Sequence, residues 1–485
     1  MPARTGQDYI RGLQEHPPEV WIGGERVADV TTHPALRNGV RSIAALYDMQ
    51  HDPDLKEEMT YSSPTTGESV GLSFIIPRSH QDVERRTKMM LHWARATCGM
   101  MGRSPDFLNV NFAAWAAAAD YFAQNRPEFK MHIVRYYEYI REHDLTLTHA
   151  LINLQRQRTP SGVQHLSADT ALRVVRETDA GIVVKGARVL ATLGPISDEI
   201  AVYSPRLRKM SEGDSPYALN FSIPCSTPGV KFLCRESFDL GRSPFDHPLG
   251  SRFEEMDAIV FFDDVLVPWE RVFLLGDVEL VNDTGVATGS HIHTAHQGAA
   301  KNIAKSELVL GVALLMAETL GSTEVPHVQE RLAELMVHTE VMKASLRAAE
   351  ADARLDRWGV MCPAGLPLEV IRTLFMNVYP RMVEILQLMG SSSFMIIPSE
   401  KDFESAMRPE IEQYLATDSA SARERVKLFR LAWDIACSAF GSRQVLYERF
   451  FAGDPLNRAQ FLYSIYPKDS VMERVRDFLG NEHEA

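Results

Sequence analysis

The chain has 485 residues, 45% of them hydrophobic and 24% charged, an ordinary globular balance in a length that exceeds one simple core, so two or three domains are expected. Its 51 basic and 64 acidic side chains leave a formal charge of −13, which argues against a nucleic-acid binder and favours a soluble, self-repelling surface. Five scattered cysteines (Cys98, Cys225, Cys234, Cys362 and Cys437) form no CxxC pair and read as reduced thiols rather than a zinc or redox centre.

The opening MPARTGQDYIRGLQ carries no apolar signal core, and the longest apolar helical runs, such as Leu308–Met316, are too short to span a bilayer. A soluble, cytoplasmic protein with no membrane partner is expected. Residues 1–150 read as mostly helical after an extended opening that contains VWIGGERV. Within them, NFAAWAAAADYF (Asn111–Phe122) has strong helix propensity, and 130–142 form another helical stretch. From 151 to 285 the pattern changes to short β-branched and aromatic runs between Gly, Pro and Asp. AGIVVKGARVLAT, YALNFSIPCSTPGVKFLCRES and DAIVFFDDVLVPWERVF each predict one or two strands, together a small barrel or sandwich. From 286 to 485 helical periodicity returns. Leu332, Leu335, Met336, Thr339, Met342 and Leu346 fall on one predicted face, and Ala300–Leu320, Leu366–Met389 (with a kink expected at Pro380) and Arg423–Phe440 add helices enough for a bundle.

Four stretches could carry chemistry. In MMGRSPDFLN, Pro-Asp explains a turn but not Arg103, which must reach solvent, find a salt-bridge partner or clamp an anion such as a phenolate. In LTLTHALINLQRQR, His149 is either a satisfied core histidine or a functional one. The donors Gln155, Arg156, Gln157 and Arg158 that follow suit a phosphate or a polar heteroaromatic ring. SHIHTAHQ places His291, His293 and His296 together, but without a nearby carboxylate or cysteine they read as polar residues at a helix start rather than metal ligands. The small-residue turn in QLMGSSSFMIIPSEKDF could approach a phosphate or simply join two helices. No GxGxxG, P-loop or GxSxG motif is present, which argues against Rossmann, nucleotide-hydrolase and ordinary serine-hydrolase functions.

RTGQDYI, VADVTTHPALRNGVRSIAALYDMQHDP, MGRSPDFLN, LTHALINLQRQR, FDDVLVPWERVF and AFGSRQVLYERFFAGDP span almost the whole chain. With them it resembles the family of 4-hydroxyphenylacetate 3-monooxygenase oxygenase components, the FADH2-dependent half of two-component phenol monooxygenases. The resemblance implies an acyl-CoA dehydrogenase-like fold that is mainly α with a central β domain: an N-terminal helical domain (1–150), a middle β-barrel (151–285) and a C-terminal four-helix bundle (286–485) that builds a homotetramer. It implies a separate flavin reductase that supplies reduced FAD by diffusion, and a flavin C4a-hydroperoxide that hydroxylates a small phenol, with O2, ortho to its hydroxyl.

The resemblance also assigns residues. Arg103 and His149 match positions that contact the phenol oxygen, which makes them the catalytic candidates; Ser104, Phe107, Ser204 and Pro205 complete the substrate pocket. Gln155, Arg156, Gln157, Arg158, Ser161, Gly162, Val163, Gln164, Thr192 (expected on a strand), Phe451, Ala452, Gly453 and Asp454 match flavin-contacting positions. Phe107 stands where the hydroxyphenylacetate enzymes carry tyrosine, and Ser391–Ser393 replace a glycine-richer turn. Removal of a halogen or nitro group from a more acidic phenol, or hydroxylation of a tyrosine derivative, free or carrier-bound, are therefore alternatives. More distant are a 4-hydroxybutyryl-CoA dehydratase-like enzyme, for which only Cys98 lies in the corresponding region without a second thiolate close by, and a helical scaffold without chemistry.

Overall fold

The computed structural model describes residues 3–154, 166–205, 210–239 and 241–480. The first helix, α1 (Gly6–Glu15), starts at a capping box in which the Thr5 side chain and the Asp8 backbone and carboxylate satisfy each other. Helices α2 (Arg37–Asp48), α3 (His80–Ala96), α4 (Asp106–Ala117) and α5 (Phe129–Glu142) follow, and α3 opens on a second box between Ser79 and Asp82. The alanine-rich run is helical as its propensity requires, but it breaks at Ala118 before a short helix, Ala119–Ala123.

The middle of the chain forms two open sheets. Strands β1 (Glu19–Ile22), β2 (Glu25–Arg26), β4 (Ile152–Asn153), β5 (Arg173–Thr178), β6 (Gly181–Val189), β9 (Val230–Cys234) and β10 (Ala258–Pro268) make a sheet of order β2-β1-β9-β10-β6-β4, with β5 also on β6. Strands β3 (Leu147–Ala150), β7 (Glu199–Val202), β8 (Leu219–Pro224) and β11 (Val272–Leu275) make the other, in the order β11-β8-β7-β3. Among the described residues no closed barrel forms, which corrects the expected β-barrel. The chain leaves the smaller sheet after β3 and joins the larger at β4, so the strands are shared between two layers instead of closing one. The layers meet through side chains such as Phe221 and Phe262, whose rings lie 6.1 Å apart. Strand β1 pairs parallel to β9, with Glu19 opposite Lys231, so an N-terminal segment completes the larger sheet.

Beyond the sheets come α6 (Val278–Ala287), α7 (Ser290–Thr319), α8 (Pro326–Ala351), α9 (Gly365–Gly390), α10 (Ala422–Ala436), α11 (Ala439–Phe450), α12 (Pro455–Ile465) and α13 (Lys468–Gly480). Helix α7 is central, buried over most of its first half and packed against α3, α4, α8, α9 and α10. Leu332, Leu335, Thr339, Met342 and Leu346 of α8 are buried as their spacing predicts, whereas Met336 is exposed. Helix α9 continues through Pro380 as one element. The run expected as one helix over Arg423–Phe440 is two, because Cys437 ends α10 and the Ser438 hydroxyl accepts the Gly441 amide at 3.0 Å to start α11. That break turns α11 toward the loop that carries Arg103. No helix among the described residues is long and apolar enough to cross a membrane.

Candidate active site

The loop between α3 and α4 is built to hold one arginine. Gly99 has φ +66, and a Cβ there would come within 2.6 Å of the Lys301 carbonyl, so only glycine lets the turn lie on α7. Gly102 likewise leaves no room for a side chain against the Tyr447 hydroxyl, 2.5 Å from where its Cβ would stand. The Arg103 amide then donates to Glu255 Oε1 at 2.8 Å. Its guanidinium lies over two rings, 4.0 Å from the centre of Phe107 and 4.2 Å from that of Phe451. Nη1 of Arg103 is buried and has no hydrogen-bond partner among the described residues, and no carboxylate side chain pairs with the guanidinium there. Among the described residues the side chain therefore makes no salt bridge, the alternative that the sequence offered.

His149 arrives from β3, which pairs parallel to β7 with His149 opposite Ala201. Just past the end of β7 the chain places Tyr203 beside His149, with Ser204 and Pro205 next in sequence. The imidazole stacks on Phe107 (5.7 Å between centres, 29°) and meets Tyr203 at a tilt (5.9 Å, 39°), and Phe107 meets Phe451 edge-on at 5.7 Å. Burial, and then the nearby Arg103 charge, hold His149 well below the usual histidine range, so it is neutral. Burial raises the Tyr203 hydroxyl, and the Arg103 charge works against that rise. The result is a cluster of aromatic rings around a cationic donor that has no partner among the described residues, an arrangement suited to an aromatic anion.

Helix α11 supplies the supporting face. Arg443, Gln444, Tyr447, Glu448 and the following Phe451 recur at helical spacing, and each touches the Arg103 loop or its neighbours. Gln444 donates to the Met100 carbonyl at 3.0 Å. Glu448 accepts from Lys301 and Lys305, both at 2.5 Å, and all three are buried. Lys301 also stands 4.4 Å from the Phe451 ring, and burial brings its ammonium down to about 7 against the pull of Glu448. Asp106, read from sequence only as a turn residue, is buried and accepts from the Ser104 hydroxyl at 2.6 Å and Gln297 at 3.3 Å; burial lifts it to about 6.

The structure brings together Arg103, Phe107, His149 and Phe451; Ser204 and Pro205 follow Tyr203, whose ring stands 5.9 Å from His149. Ser104 turns away to Asp106. Thr192 lies in the turn after β6, not on a strand as expected; its hydroxyl donates to Asp257 at 2.8 Å and its carbonyl accepts from Thr148 at 2.7 Å. Phe451–Asp454 divides in function: Phe451 covers Arg103, Gly453 takes φ +107, and Asp454 caps α12 by accepting the amides of Leu456 and Asn457 at 3.0 and 3.3 Å. Gln155, Arg156, Gln157, Arg158, Ser161, Gly162, Val163 and Gln164 fall outside the described residues. The SHIHTAHQ histidines begin α7 as expected, and His293 and His296 face Arg86 at 2.9 and 3.2 Å; among the described residues no cluster suited to a metal forms. Ser391–Ser393 open a short 3-10 helix, Ser391–Ile396.

Fold and site together define an acyl-CoA dehydrogenase-like protein, with helices before and after central sheets and an arginine set among aromatic rings. Two family profiles cover nearly the whole chain: "4-hydroxyphenylacetate 3-hydroxylase N terminal" over residues 5–274 and "4-hydroxyphenylacetate 3-hydroxylase C terminal" over 281–480. The chain belongs to this 4-hydroxyphenylacetate 3-hydroxylase family. A 4-hydroxyphenylacetate 3-monooxygenase oxygenase component from Thermus thermophilus is 49% identical over 479 residues, spanning 98% of this chain and 97% of that protein. Its counterpart from Geobacillus sp. is 46% identical, spanning 99% and 97%. A crystal structure of such an oxygenase component, complexed with FAD and 4-hydroxyphenylacetate, superposes with a TM-score of 0.94 at 48% identity and covers 99% of each chain.

Proposed function

We propose that the chain is the oxygenase component of a two-component monooxygenase that uses reduced FAD and O2 to hydroxylate a phenol at the carbon ortho to its hydroxyl, with 4-hydroxyphenylacetate the first candidate substrate. One oxygen atom enters the ring, the other leaves as water, and the reduced flavin is oxidised. The observation that carries this reading is Arg103, flanked by Phe107 and Phe451, with a buried Nη1 that has no partner among the described residues.

In this reading the phenol lies beside the aromatic side chains Phe107 and Phe451 with its oxygen toward Arg103 and His149. The guanidinium stabilises negative charge on that oxygen, which raises electron density at the ortho carbon and activates it toward an electrophilic oxygen. His149, kept neutral, can accept the phenol proton, and phenolate charge beside it would strengthen its hold on that proton. The aromatic walls keep water from the ring.

The residues present fit a flavin. The Thr192 hydroxyl, already donating to Asp257, is left as an acceptor for a ring N–H. Arg372 Nε and Asn302 Oδ1 are buried without partners among the described residues, in a cleft they share with Ala452, and offer a donor and an acceptor. Those groups, with the Gln155–Arg158 donors and the Ser161–Gln164 turn, would hold it. When bound in its reduced form, FAD supplies the electrons that activate O2.

A separate reductase delivering reduced FAD, action in the cytoplasm, a division at 150 and 285, and a C-terminal four-helix bundle that builds a homotetramer complete the reading. Exposed apolar side chains on α12 and α13, among them Tyr463, Val475, Phe478 and Leu479, support self-association. Phe107 favours one second reading: with no hydroxyl at that ring, a more acidic halo- or nitrophenol needs less help to ionise. A phenol panel with independently generated reduced FAD tests both. Ortho-hydroxylated product from 4-hydroxyphenylacetate supports the first reading, release of halide or nitrite supports the second, and oxygen uptake yielding only hydrogen peroxide with every phenol contradicts both.

A further inference from the structure

Arg443 stands outside the pocket yet touches what holds both of its sides. Its guanidinium donates from Nη1 to Glu255 Oε2 at 2.9 Å, and from Nη2 and Nε to the two oxygens of Asp257 at 2.7 and 3.0 Å. The other Glu255 oxygen accepts the Arg103 amide at 2.8 Å, and Asp257 Oδ1 also accepts the Thr192 hydroxyl at 2.8 Å. One planar fork on α11 thus reaches the phenol-side loop by one carboxylate and the Thr192 turn by another. The Glu255 side chain is fully buried and that of Arg443 is 10% exposed, so the contacts are little screened by water. Asp257 further accepts Arg235 Nε at 3.0 Å, which leaves its oxygens occupied from two directions, and the Tyr447 ring lies 4.5 Å from the Arg443 guanidinium. Burial alone would raise Asp257, yet Arg443 and Arg235 hold it down at about 2, so this carboxylate stays charged.

We propose that Arg443 is a positioning residue that couples the two halves of the active site: through Glu255 it fixes the Arg103 backbone on the phenol side, and through Asp257 it fixes the Thr192 hydroxyl on the flavin side. The inference rests on the phenol-clamp reading above. A lysine at 443 would keep the charge but could not bond both carboxylates in the fork geometry. Small displacements of reacting groups cost large rate factors, so loosening the shared guanidinium should be measurable on both sides, and loosening one carboxylate mainly on its own side.

The test uses the full chain and two binding readouts that need no turnover. Bound 4-nitrophenol is titrated by its phenolate absorption, and reduced FAD is titrated anaerobically. Arg443→Lys should lower the bound phenolate-to-phenol ratio roughly tenfold, a shift of about one pKa unit, and should weaken reduced-FAD binding as well. Glu255→Gln should shift mainly the phenol readout and Asp257→Asn mainly the flavin readout. If Arg443→Lys leaves both readouts at wild-type values, or if all three variants shift both alike, the coupling is overturned. Should Arg443→Lys not fold, the partition between Glu255→Gln and Asp257→Asn decides the matter alone. Failure of the wild-type protein to alter the ionisation of 4-nitrophenol would instead overturn the phenol clamp, and this inference with it.

Discussion

Two cationic groups share Phe451, and they are treated in opposite ways. Lys301 lies 4.4 Å from the ring with its ammonium on Glu448, a carboxylate that also holds Lys305. Arg103 lies 4.2 Å from the same ring with its backbone tied to Glu255 and its Nη1 without a partner among the described residues. A buried charge that is fully paired fixes structure, while one positioned by its neighbours but left unpaired is available to a ligand. Burial alone therefore does not mark the functional cation; the unused donor does.

The comparison can be broken most forcefully at Glu448. Glu448→Ala would leave two buried ammoniums without their shared carboxylate, at a cost of about 3–5 kcal/mol, and chemical denaturation should show the loss directly. Arg103→Ala should do the reverse. It removes a charge-stabilising donor, and the yield of hydroxylated product per reduced flavin should fall by ~10²–10³-fold, about 2.7–4 kcal/mol. Its stability should change little, because exposed or half-buried ring contacts of a guanidinium are worth only about 0.5–1 kcal/mol each. Equal stability losses in the two variants would erase the distinction.

Phe107→Tyr sharpens the Arg103 side. A hydroxyl within reach of a charged phenol oxygen is worth about 1.5–3 kcal/mol, so bound weakly acidic phenols should ionise more readily while strongly acidic ones change less. Equal responses across the panel would show that position 107 does not set the preference. The smallest effect is expected at Asp106. Its folded-state value of about 6 lies above the ordinary 3.8, so the folded form holds a proton that the unfolded chain has released. That contribution is fully present below about pH 4 and is lost as pH rises through about 6. Asp106→Asn should therefore be more stable than wild type by about 1–3 kcal/mol near pH 8, with the difference closing near pH 4. A pH-independent difference would contradict the assignment.

Arg103, His149 and Phe107, which the structure places together, were singled out in the sequence by a local turn, an apolar segment and a chain-wide resemblance. Glu255, Asp257 and Arg443 were not, because their meaning lies in contacts across more than 150 residues, and FEEMDAIV read locally is only a charged approach to a strand. The spacing of Arg443, Tyr447 and Phe451 was a usable signal: one helical face that mixes a cation with aromatic rings is too polar for plain core. Strand existence was also legible, but closure was not. Whether short strands form a barrel or two open sheets depends on pairings such as β1 with β9, which alternation along one strand cannot encode.

The central claim is that Arg103 stabilises a phenolate, and it is tested most directly by titrating 4-nitrophenol bound to the wild-type protein and to Arg103→Ala. The phenol should ionise at a lower pH on the wild-type protein than free in solution, and Arg103→Ala should remove that shift. A wild-type titration that coincides with the free phenol, or a shift that survives in Arg103→Ala, would contradict it.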